Sequence, residues 1–478
     1  MDTGAPLQFD ARPVPTPAGG PLAVELVPAP DPWAVARKLA HLPHLLFLDS
    51  AEKHTDRGRY SYVSADPFGI ASDFAGRRQM ELSPRRIAAL PRLPPFQGGY
   101  AGLFSYGLGR LFERIPAARR DEFAVQDLVL GCYDWVVSFD HQERRAWLVS
   151  TGEMGAEWPK QSERAKNRLH ETLELLRSQQ VAYTLHSPQD RSPTLAPQYP
   201  LPGFPGVTSN FSREQYEAAV RRAVEYVHAG DCFQVNISQR LLAPLREHPL
   251  ELYGRLRQLN PAPFAGYFDL GDFQILSASP ERFLRVHPDG EVETRPIKGT
   301  RPRGKTSEED AALIRDLTTS PKDRAENVMI VDLLRNDIGK VCEYGSVTVP
   351  RVCEVETFRF VHHLVSEVRG KLRAGLGPLD LLAAAFPGGS VTGAPKVRAM
   401  EIIAELEPTA RGPYCGCLGW IGFDGAMDTN ILIRTFTAGR GWVQFPVGGG
   451  VVADSDPARE YEETLHKAAG LLRALNPT

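Results

Sequence analysis

The chain has 478 residues, of which 42% are hydrophobic and 24% are charged, a balance typical of a globular protein with a large core. Its formal net charge of -3 excludes the positive field on which binding to nucleic acid or to an anionic membrane depends. No apolar run approaches the roughly 20 residues that span a bilayer, the first residues lack the pattern of a secretory signal, and six scattered cysteines favour reduced thiols. We therefore expect a cytoplasmic protein with no nucleic-acid and no membrane partner.

Proline-rich stretches divide the chain. The first 20 residues are rich in Pro, Gly and Ala and are predicted to be loose. Residues 187–206 contain six prolines, which break helices and cannot donate to a strand ladder. This segment is predicted to connect an N-terminal domain, residues 1–186, to a C-terminal domain, residues 207–478.

Helix and strand signals in the C-terminal part do not alternate regularly. Helices are predicted to begin where serine or aspartate provides a cap, at Ser212, Ser320-Pro321 and Asp456-Pro457. Strands are predicted at residues 233–243, within 274–286 and at 442–453. Runs of strands with no helix between them favour an α+β layered fold over a parallel doubly wound sheet.

Two of the predicted helices carry paired carboxylates. Asp323 and Glu326 are three residues apart, as are Glu460 and Glu463, so each pair shares one helix face, and Lys467 lies one turn beyond the second pair. Two such helices could hold Mg²⁺, which prefers oxygen ligands and keeps waters that a substrate displaces. The same spacing is also typical of a solvated helix face.

Three consecutive glycines, Gly448, Gly449 and Gly450, precede the last predicted helix. Glycine lets a backbone approach a ligand closely, and amides near a helix N-terminus suit a carboxylate. A bulge or a crowded strand crossing would use the same residues.

A lysine and a glutamate stand out as candidate reactive groups. Lys298 lies in Pro296-Ile297-Lys298-Gly299-Thr300, and a buried lysine loses its proton more readily and becomes a nucleophile. Glu281 is a candidate general acid or base, although it could instead form an ion pair with the adjacent Arg282. A surface position is the ordinary alternative for Lys298.

Five motifs in order and spacing resemble the chorismate-utilising enzymes. They are PIKGTRPRG (296–304), KDRAENVMIVDLLRNDIGKV (322–341), FPGGSVTGAPKVRAMEII (386–403), MDTNILIRT (427–435) and GGGVVADSDPAREYEETLHKA (448–468). The resemblance is strong over residues 206–472 and extends more weakly to 46–50, 58–67 and 95–106. It implies a two-layer β-sandwich flanked by helices, with the active site in the C-terminal domain.

The resemblance also assigns roles to residues. It implies that Glu326 and Glu463 ligate Mg²⁺ with Asp323 and Glu460 close by, that Glu281 protonates a leaving hydroxyl, and that Lys298 is the nucleophile. The implied substrate site consists of Thr300, His363, Tyr414, Arg434, Gly448, Gly449, Gly450 and Lys467. A structural role for a buried His363 is an alternative.

Members of the family that aminate chorismate take ammonia from a separate glutamine amidotransferase subunit, so such a partner is implied here. The segment around Cys417 resembles the nucleophile elbow of those amidotransferases, but the only histidine in the tail is His466, on the last predicted helix. We interpret Cys417 as a strand residue and expect no glutamine hydrolysis by this chain.

Two positions distinguish the products of the family. Members that make anthranilate, for tryptophan biosynthesis, typically have alanine where this chain has Lys298, and members that add water to chorismate have lysine where it has Gln234. The resemblance therefore favours conversion of chorismate and ammonia to 4-amino-4-deoxychorismate, for 4-aminobenzoate and folate biosynthesis. The alternatives are anthranilate formation and, in another class, a non-catalytic chorismate-binding subunit.

Some relatives bind tryptophan in the N-terminal domain. The matching positions of this chain, which form a candidate tryptophan site, are Asp49, Ser50, Tyr60, Ser61, Pro263 and Phe264. Ala262 stands where feedback-inhibited relatives usually have serine, which argues against inhibition by tryptophan.

Overall fold

A computed structural model describes residues 6–17, 20–52, 57–72, 87–153, 160–179, 193–358 and 361–475. In chain order, the strands are β1 (Asp10–Pro13), β2 (Leu22–Val27), β3 (Leu46–Asp49), β4 (Tyr60–Ser64), β5 (Gly69–Ala71), β6 (Gly99–Phe104), β7 (Leu128–Tyr133), β8 (Trp135–Asp140), β9 (Arg145–Ser150), β10 (Tyr199–Pro200), β11 (Thr208–Ser209), β12 (Gln234–Pro244), β13 (Phe264–Asp269), β14 (Phe273–Ser279), β15 (Arg282–Val286), β16 (Glu291–Thr294), β17 (Ile297–Pro302), β18 (Thr348–Thr357), β19 (Val361–Lys371), β20 (Gly393–Ala394), β21 (Cys417–Gly422), β22 (Met427–Asn430), β23 (Thr435–Gly439) and β24 (Trp442–Val451). The helices are α1 (Pro32–Lys38), α2 (Gly109–Phe112), α3 (Lys160–Arg177), α4 (Arg213–His228), α5 (Pro249–Leu259), α6 (Ser307–Thr319), α7 (Pro321–Gly339), α8 (Pro378–Ala385), α9 (Lys396–Leu406) and α10 (Pro457–Leu475).

Two antiparallel sheets form the sandwich that the sequence predicts. The first has the order β1-β2-β9-β8-β4-β3-β13-β14-β23-β24-β12-β11-β10, with β20 on β12. The second has the order β17-β19-β16-β15-β22-β21-β6-β7-β5, with β18 on β19. Apolar side chains from both sheets meet in one core, among them Phe268 and Ile275 of the first and Leu103 and Leu418 of the second. The fold is therefore α+β, with two sheet layers and helices around them.

Each sheet joins a block of strands from before residues 187–206 to a block from after them. In the first sheet, β3 pairs with β13, and in the second, β6 pairs with β21. The division of the chain at 187–206 stays a prediction. The prediction that the first 20 residues are loose is wrong at Asp10–Pro13, because β1 pairs with β2 there. None of the helices in the described residues is long and apolar enough to cross a membrane.

Two helices bring the predicted acidic residues to the sheets, and both begin where the sequence predicts. Ser320 caps α7, accepting the backbone N–H of Asp323 at 3.2 Å, and Pro321 is its first residue. The buried face of α7 includes Ile330, Leu334 and Ile338, a helical spacing that seats it on the second sheet. The acidic first turn of α7 lies beside β17.

Helix α10 lies on β24 of the first sheet. Its buried residues include Tyr461, Thr464, Ala468, Leu471 and Leu472, which share one face at helical spacing. The whole of β24 pairs with β12, from Val235 opposite Val451 to Pro244 opposite Trp442. This register fixes the three glycines of β24 beneath the first turns of α10.

Candidate active site

Glu281 and Lys298 meet at a third residue, Ser390. Glu281 lies in the turn between β14 and β15 and is 5% exposed. The Ser390 hydroxyl donates a hydrogen bond of 3.0 Å to Glu281 Oε1, and Lys298 Nζ lies 3.5 Å from the Ser390 carbonyl oxygen. The structure therefore brings the predicted acid and the predicted nucleophile to the same place.

Burial shifts the pKa values of Glu281 and Lys298 in opposite directions. Burial raises the pKa of Glu281 to about 7, outweighing the lowering effects of the Ser390 hydrogen bond and of the Lys298 charge. Burial also lowers the pKa of Lys298; the Glu326 carboxylate opposes this shift and the Lys467 ammonium reinforces it. At neutral pH the carboxyl can hold a proton and the amine gives one up more readily, which suits an acid and a nucleophile.

The alternative role of Glu281, an ion pair with Arg282, does not occur in the structure. The Arg282 guanidinium instead donates to Asp428 Oδ1 at 2.9 Å and to Glu293 Oε1 at 2.9 Å. Arg282 therefore faces away from the site, and Glu281 remains available for chemistry.

A bulge in β17 sets the direction of the next side chains. Opposite Leu364 and His363 of β19, the register slips between Lys298 and Thr300, so that Gly299 is the extra residue, with φ +80°. A Cβ on Gly299 would lie 2.9 Å from Leu317 Cδ1. Glycine is therefore required for this conformation and for this space.

Thr300 and His363 are hydrogen-bonded to each other across the two strands. Thr300 Oγ1 and His363 Nδ1 are 2.9 Å apart, and the His363 ring contacts Phe358 at 5.5 Å between centroids. Burial lowers the pKa of His363 to about 3, helped by the Arg434 and Arg57 charges. His363 is therefore a neutral imidazole at physiological pH, whether it touches substrate or only supports Thr300.

The three glycines of β24 serve both of the purposes considered from the sequence, which are crowded strand packing and space for a ligand. A Cβ on Gly448 would meet Ser238 Cβ of β12 at 2.8 Å, and one on Gly450 would collide with the Gln234 amide. These two are needed for strand packing. A Cβ on Gly449 would instead lie 2.9 Å from Glu460 Oε2 and 3.4 Å from Glu463 Oε1. Gly449 therefore opens a space toward which two carboxylates converge.

Glu460 of α10 does not lie on a solvated helix face. Glu460 is 7% exposed; its Oε1 accepts the Ser455 hydroxyl at 2.7 Å, and its buried Oε2 has no hydrogen-bond partner among the described residues. Burial raises the pKa of Glu460, and the neighbouring Glu463 raises it further. A buried oxygen without a donor is costly unless a cation or water completes its coordination.

Glu326 of α7 and Glu463 of α10 lie near enough for the charge of one carboxylate to act on the other. Burial raises the pKa of Glu326, and the Glu463 charge adds to this rise. Burial also raises the pKa of Glu463, but Lys467, Lys322 and Lys298 outweigh it, so that the net pKa is lowered. The Glu463 side chain is half exposed.

Asp323 is engaged elsewhere. Arg301 Nη2 donates to Asp323 Oδ2 at 2.9 Å, and the same guanidinium reaches Asp316 of α6. No group of three or more His, Cys, Asp or Glu side chains in the described parts of the chain is arranged to hold a metal ion. Mg²⁺ is commonly held by one or two carboxylates plus waters and substrate, and any two of the carboxylates of Glu326, Glu460 and Glu463 would supply the oxygen ligands of that mode.

Three further predicted substrate residues differ in setting. Lys467 Nζ donates to the Gly448 carbonyl at 2.9 Å and pairs with Glu463 at 2.7 Å. Arg434 is exposed and has a left-handed backbone, φ +51°, and its charge interacts with that of Glu281. Tyr414 is 5% exposed within the second core, 5.7 Å beneath the Arg411 guanidinium. The exposed Arg434 guanidinium thus suits the binding of an incoming carboxylate.

Sequence reasoning missed Ser390 and Arg57. Ser390 lies in the Gly-rich segment 386–395, where the glycines drew attention and the serine did not. Arg57, 3% exposed, pairs with Glu356, and its charge acts on both Glu281 and His363. Nothing in the local sequence around Arg57 indicates that it faces the site.

The candidate tryptophan residues line a separate cavity of about 460 Å³. Asp49, Ser50, Tyr60, Pro263 and Phe264 contribute to its wall. Ser61 does not; its hydroxyl accepts the Ser50 N–H at 3.0 Å and contacts His141. Five of the six predicted residues therefore share one cavity.

Comparison with known proteins identifies relatives that cover most of the chain. A family model described as chorismate binding enzyme matches residues 46–473. Aminodeoxychorismate synthase component 1 of Escherichia coli (strain K12) is 41% identical over 460 residues, 92% of this chain and 94% of that protein. Anthranilate synthase component 1 of Thermus thermophilus is 45% identical over 394 residues, 80% of this chain and 79% of that protein.

Solved structures agree with these relatives. Anthranilate synthase component I from Streptococcus pneumoniae TIGR4 superposes with a TM-score of 0.71 at 32% identity, covering 88% of this chain and 93% of that chain. MenF, the menaquinone-specific isochorismate synthase from Escherichia coli, has a TM-score of 0.67 at 18% identity, covers 99% and 96%, and supports the fold alone.

Proposed function

This chain belongs to the chorismate-binding enzymes, and we propose that it converts chorismate and ammonia to 4-amino-4-deoxychorismate, as an aminodeoxychorismate synthase component 1. Relatives named for this reaction and for anthranilate synthesis are similar at 41% and 45% identity, so the choice between them depends on the site. The observation that carries the proposal is the position of Lys298. This lysine is partly buried, and it contacts Ser390, the residue whose hydroxyl binds the protonatable Glu281.

The two side chains would divide one difficult displacement into two easier steps. Neutral Lys298 Nζ forms a bond to carbon 2 of chorismate, while the bond between carbon 4 and its hydroxyl breaks and Glu281 supplies the proton that releases water. Ammonia then bonds to carbon 4, and the bond between carbon 2 and Lys298 breaks, so that Lys298 leaves as a neutral amine. One proton of the new ammonium group passes to the Glu281 carboxylate and restores the acid. The double bonds of the ring shift at each step, so the product keeps the ring and has an amine at carbon 4.

Magnesium dependence is part of the proposal, and the acidic residues would hold the ion. Glu326 and Glu463 would be its ligands, with Glu460 close enough to join them through its free Oε2 and Asp323 held back by Arg301. When bound, Mg²⁺ would neutralise and orient the ring carboxylate of chorismate. The space above Gly449, toward which Glu460 and Glu463 point, supports this placement.

The remaining polar groups would bind the substrate. The Arg434 guanidinium is exposed and suits a bidentate clamp on a carboxylate. Backbone amides of Gly448–Gly450 and the Thr300 hydroxyl would complete the binding surface, with Lys467 holding the Gly448 carbonyl in place. Gln234, fully buried and without a hydrogen-bond partner among the described residues, supplies no base to activate water, which favours amination.

A glutamine amidotransferase subunit would supply the ammonia. The relatives above are named component 1, which supports a second component for this chain. Cys417 lies fully buried in β21, and burial raises the pKa of its thiol, which argues against a nucleophile that hydrolyses glutamine here. All six cysteines are buried and free, which supports function in the reducing cytoplasm.

The test mixes the purified protein with chorismate, Mg²⁺ and an ammonium salt near pH 8.5, where free ammonia is available. We expect chorismate to disappear without anthranilate fluorescence, and 4-aminobenzoate to form only after a separate aminodeoxychorismate lyase is added. Anthranilate fluorescence would overturn the proposal in favour of the second candidate, which the 45% identical relative supports. Unchanged chorismate would indicate a non-catalytic binding subunit.

Tryptophan binding in the cavity beside Tyr60 and Phe264 is a separate proposal. The cavity, about 460 Å³ with aromatic and polar walls, suits a ligand of that size. Calorimetric titration with tryptophan is expected to give heat and a raised melting temperature but no inhibition, given Ala262. Absence of both signals would remove the proposal.

A further inference from the structure

We propose that Ser390 is a positioning residue that holds the Glu281 carboxyl in the orientation needed to protonate the leaving hydroxyl while Lys298 attacks. This inference rests on the proposed amination of chorismate. It concerns a residue for which neither the motif pattern nor any single-residue signal in the sequence predicts a role.

The geometry singles out one side chain between the two reacting groups. The Ser390 hydroxyl donates to Glu281 Oε1 at 3.0 Å, and the carbonyl oxygen of the same residue lies 3.5 Å from Lys298 Nζ. The Ile297 backbone N–H is a second donor to the carboxyl, and because Oε1 accepts the Ser390 hydroxyl, the bond from Ser390 favours a proton on Oε2. Ser390 thus selects which oxygen carries the proton and fixes that oxygen relative to the amine.

The segment around Ser390 is held firmly enough for this task. On its C-terminal side, Asn236 Nδ2 and Arg411 Nη1 each donate to the Val391 carbonyl at 3.0 Å. The Thr392 carbonyl accepts the Asn236 N–H at 2.9 Å, and the Thr392 hydroxyl donates to the Gly388 carbonyl at 3.0 Å. A positioning group must itself be fixed by its surroundings, and these bonds tie both sides of Ser390 to β12 and to its own turn.

The segment is also wedged by side chains. A Cβ on Gly389 would collide with Leu333 of α7, and one on Gly388 would lie 3.1 Å from Ile431 Cδ1. The helix that follows is anchored by Lys396, whose ammonium donates to Asp337 Oδ2 at 2.6 Å. Small residues are needed on one side of Ser390 and a buried ion pair lies beyond the other, so its backbone has little freedom.

The pKa of Glu281 depends on the charged groups around it. Lys298 and Arg57 lower its pKa against the effect of burial, the Ser390 hydrogen bond does the same, and Arg434 feels the Glu281 charge in return. Removing the hydroxyl leaves the three cations in place and withdraws one donor from the ionised carboxylate. The pKa of Glu281 should therefore rise, and the acid should stay protonated to higher pH.

The test compares Ser390→Thr with Ser390→Val, two variants of nearly equal shape of which only the first keeps a hydroxyl. Chorismate turnover is measured from pH 6 to 9 with Mg²⁺ and with total ammonium adjusted to keep free ammonia constant. We expect kcat of Ser390→Val to fall by roughly 10- to 100-fold relative to Ser390→Thr, with KM changed by less than about threefold. The decline of kcat/KM on the alkaline side should move to higher pH by roughly one pH unit in Ser390→Val alone.

Controls separate this role from packing. Ser178→Ala, which removes an exposed hydroxyl at the end of α3, is expected to behave as the unsubstituted protein. Equal rates and equal pH profiles for the Thr and Val variants would overturn the inference, because both keep the shape and only one keeps the donor. Failure of the proposed function would be visible in the unsubstituted protein as absence of amination, whereas failure of this inference would be visible only in the variants.

Discussion

Replacing Glu281 by glutamine should stabilise the protein and inactivate it, and the stabilisation should depend on pH. The carboxyl is 5% exposed, and burial raises its pKa from 4.5 to about 7. Between these values the folded protein holds a proton that the unfolded chain has lost, so stability decreases as pH rises through this window. Glutamine is neutral throughout and is spared the loss.

The size follows from the two pKa values. At about 1.4 kcal/mol for each tenfold change in acid dissociation, ionising the buried Glu281 costs about 3 kcal/mol above pH 7. For 478 residues this corresponds to a melting temperature about 3 °C higher for Glu281→Gln than for the unsubstituted protein at pH 8. The difference in melting temperature between the two proteins should become smaller as the pH falls from 7 to 4.5, because Glu281 is then protonated in the folded protein.

The assay is calorimetric melting of both proteins at a series of pH values, with chorismate turnover measured in parallel. Turnover should fall by at least about 100-fold, because glutamine cannot supply the proton. Glu343→Gln, which makes the same change at an exposed position, is the matched control. It should leave the melting temperature and the chorismate turnover unchanged. A melting difference that stays constant from pH 5 to pH 8 would refute the reasoning, since it would mean that the Glu281 carboxyl ionises in the fold as it does in water.

Three further variants test the nucleophile, the metal and the substrate clamp. Lys298→Ala should lower chorismate consumption, followed by chromatography, by three orders of magnitude or more, and an unimpaired variant would mean that the nucleophile is misassigned. Gly449→Ala would place a methyl group 2.9 Å from Glu460 Oε2 and should weaken Mg²⁺ binding, measured by calorimetric titration, about tenfold. The control Gly69→Ala places its methyl group in open space and should leave the Mg²⁺ affinity unchanged, and equal affinities of the two variants would contradict the proposed metal site. Arg434→Lys should raise KM for chorismate about tenfold with little change in kcat, because lysine loses the bidentate contact; an unchanged KM would place the carboxylate elsewhere.

Local signals predicted much of the secondary structure around the site. Ser320-Pro321 and Asp456-Pro457 begin α7 and α10 where capping chemistry places them, and Ser212 caps α4 with a full capping box. These signals depend on a few neighbouring residues, so they can be read from sequence. They also fixed which acids share a helix face, including Glu460 and Glu463.

Contacts between distant segments could not be predicted in this way. Ser390 reaches Glu281 across more than 100 residues of chain, and Asp323 is drawn to Arg301 by a bulge centred on Gly299. The Pro-rich start of the chain suggested a loose segment, yet β1 gains a partner in β2 that its own composition does not reveal. Such outcomes depend on tertiary pairing, which overrides local preference.

The position of the new amine on the ring tests the central claim most directly. The protein is incubated with chorismate, Mg²⁺ and ¹⁵N-labelled ammonium, and the product is examined by NMR for the carbon that is bonded to ¹⁵N. The account predicts ¹⁵N on carbon 4 of a ring that still carries its enolpyruvyl group, with no label incorporated by Lys298→Ala. Label on carbon 2, with loss of pyruvate to give anthranilate, would contradict it.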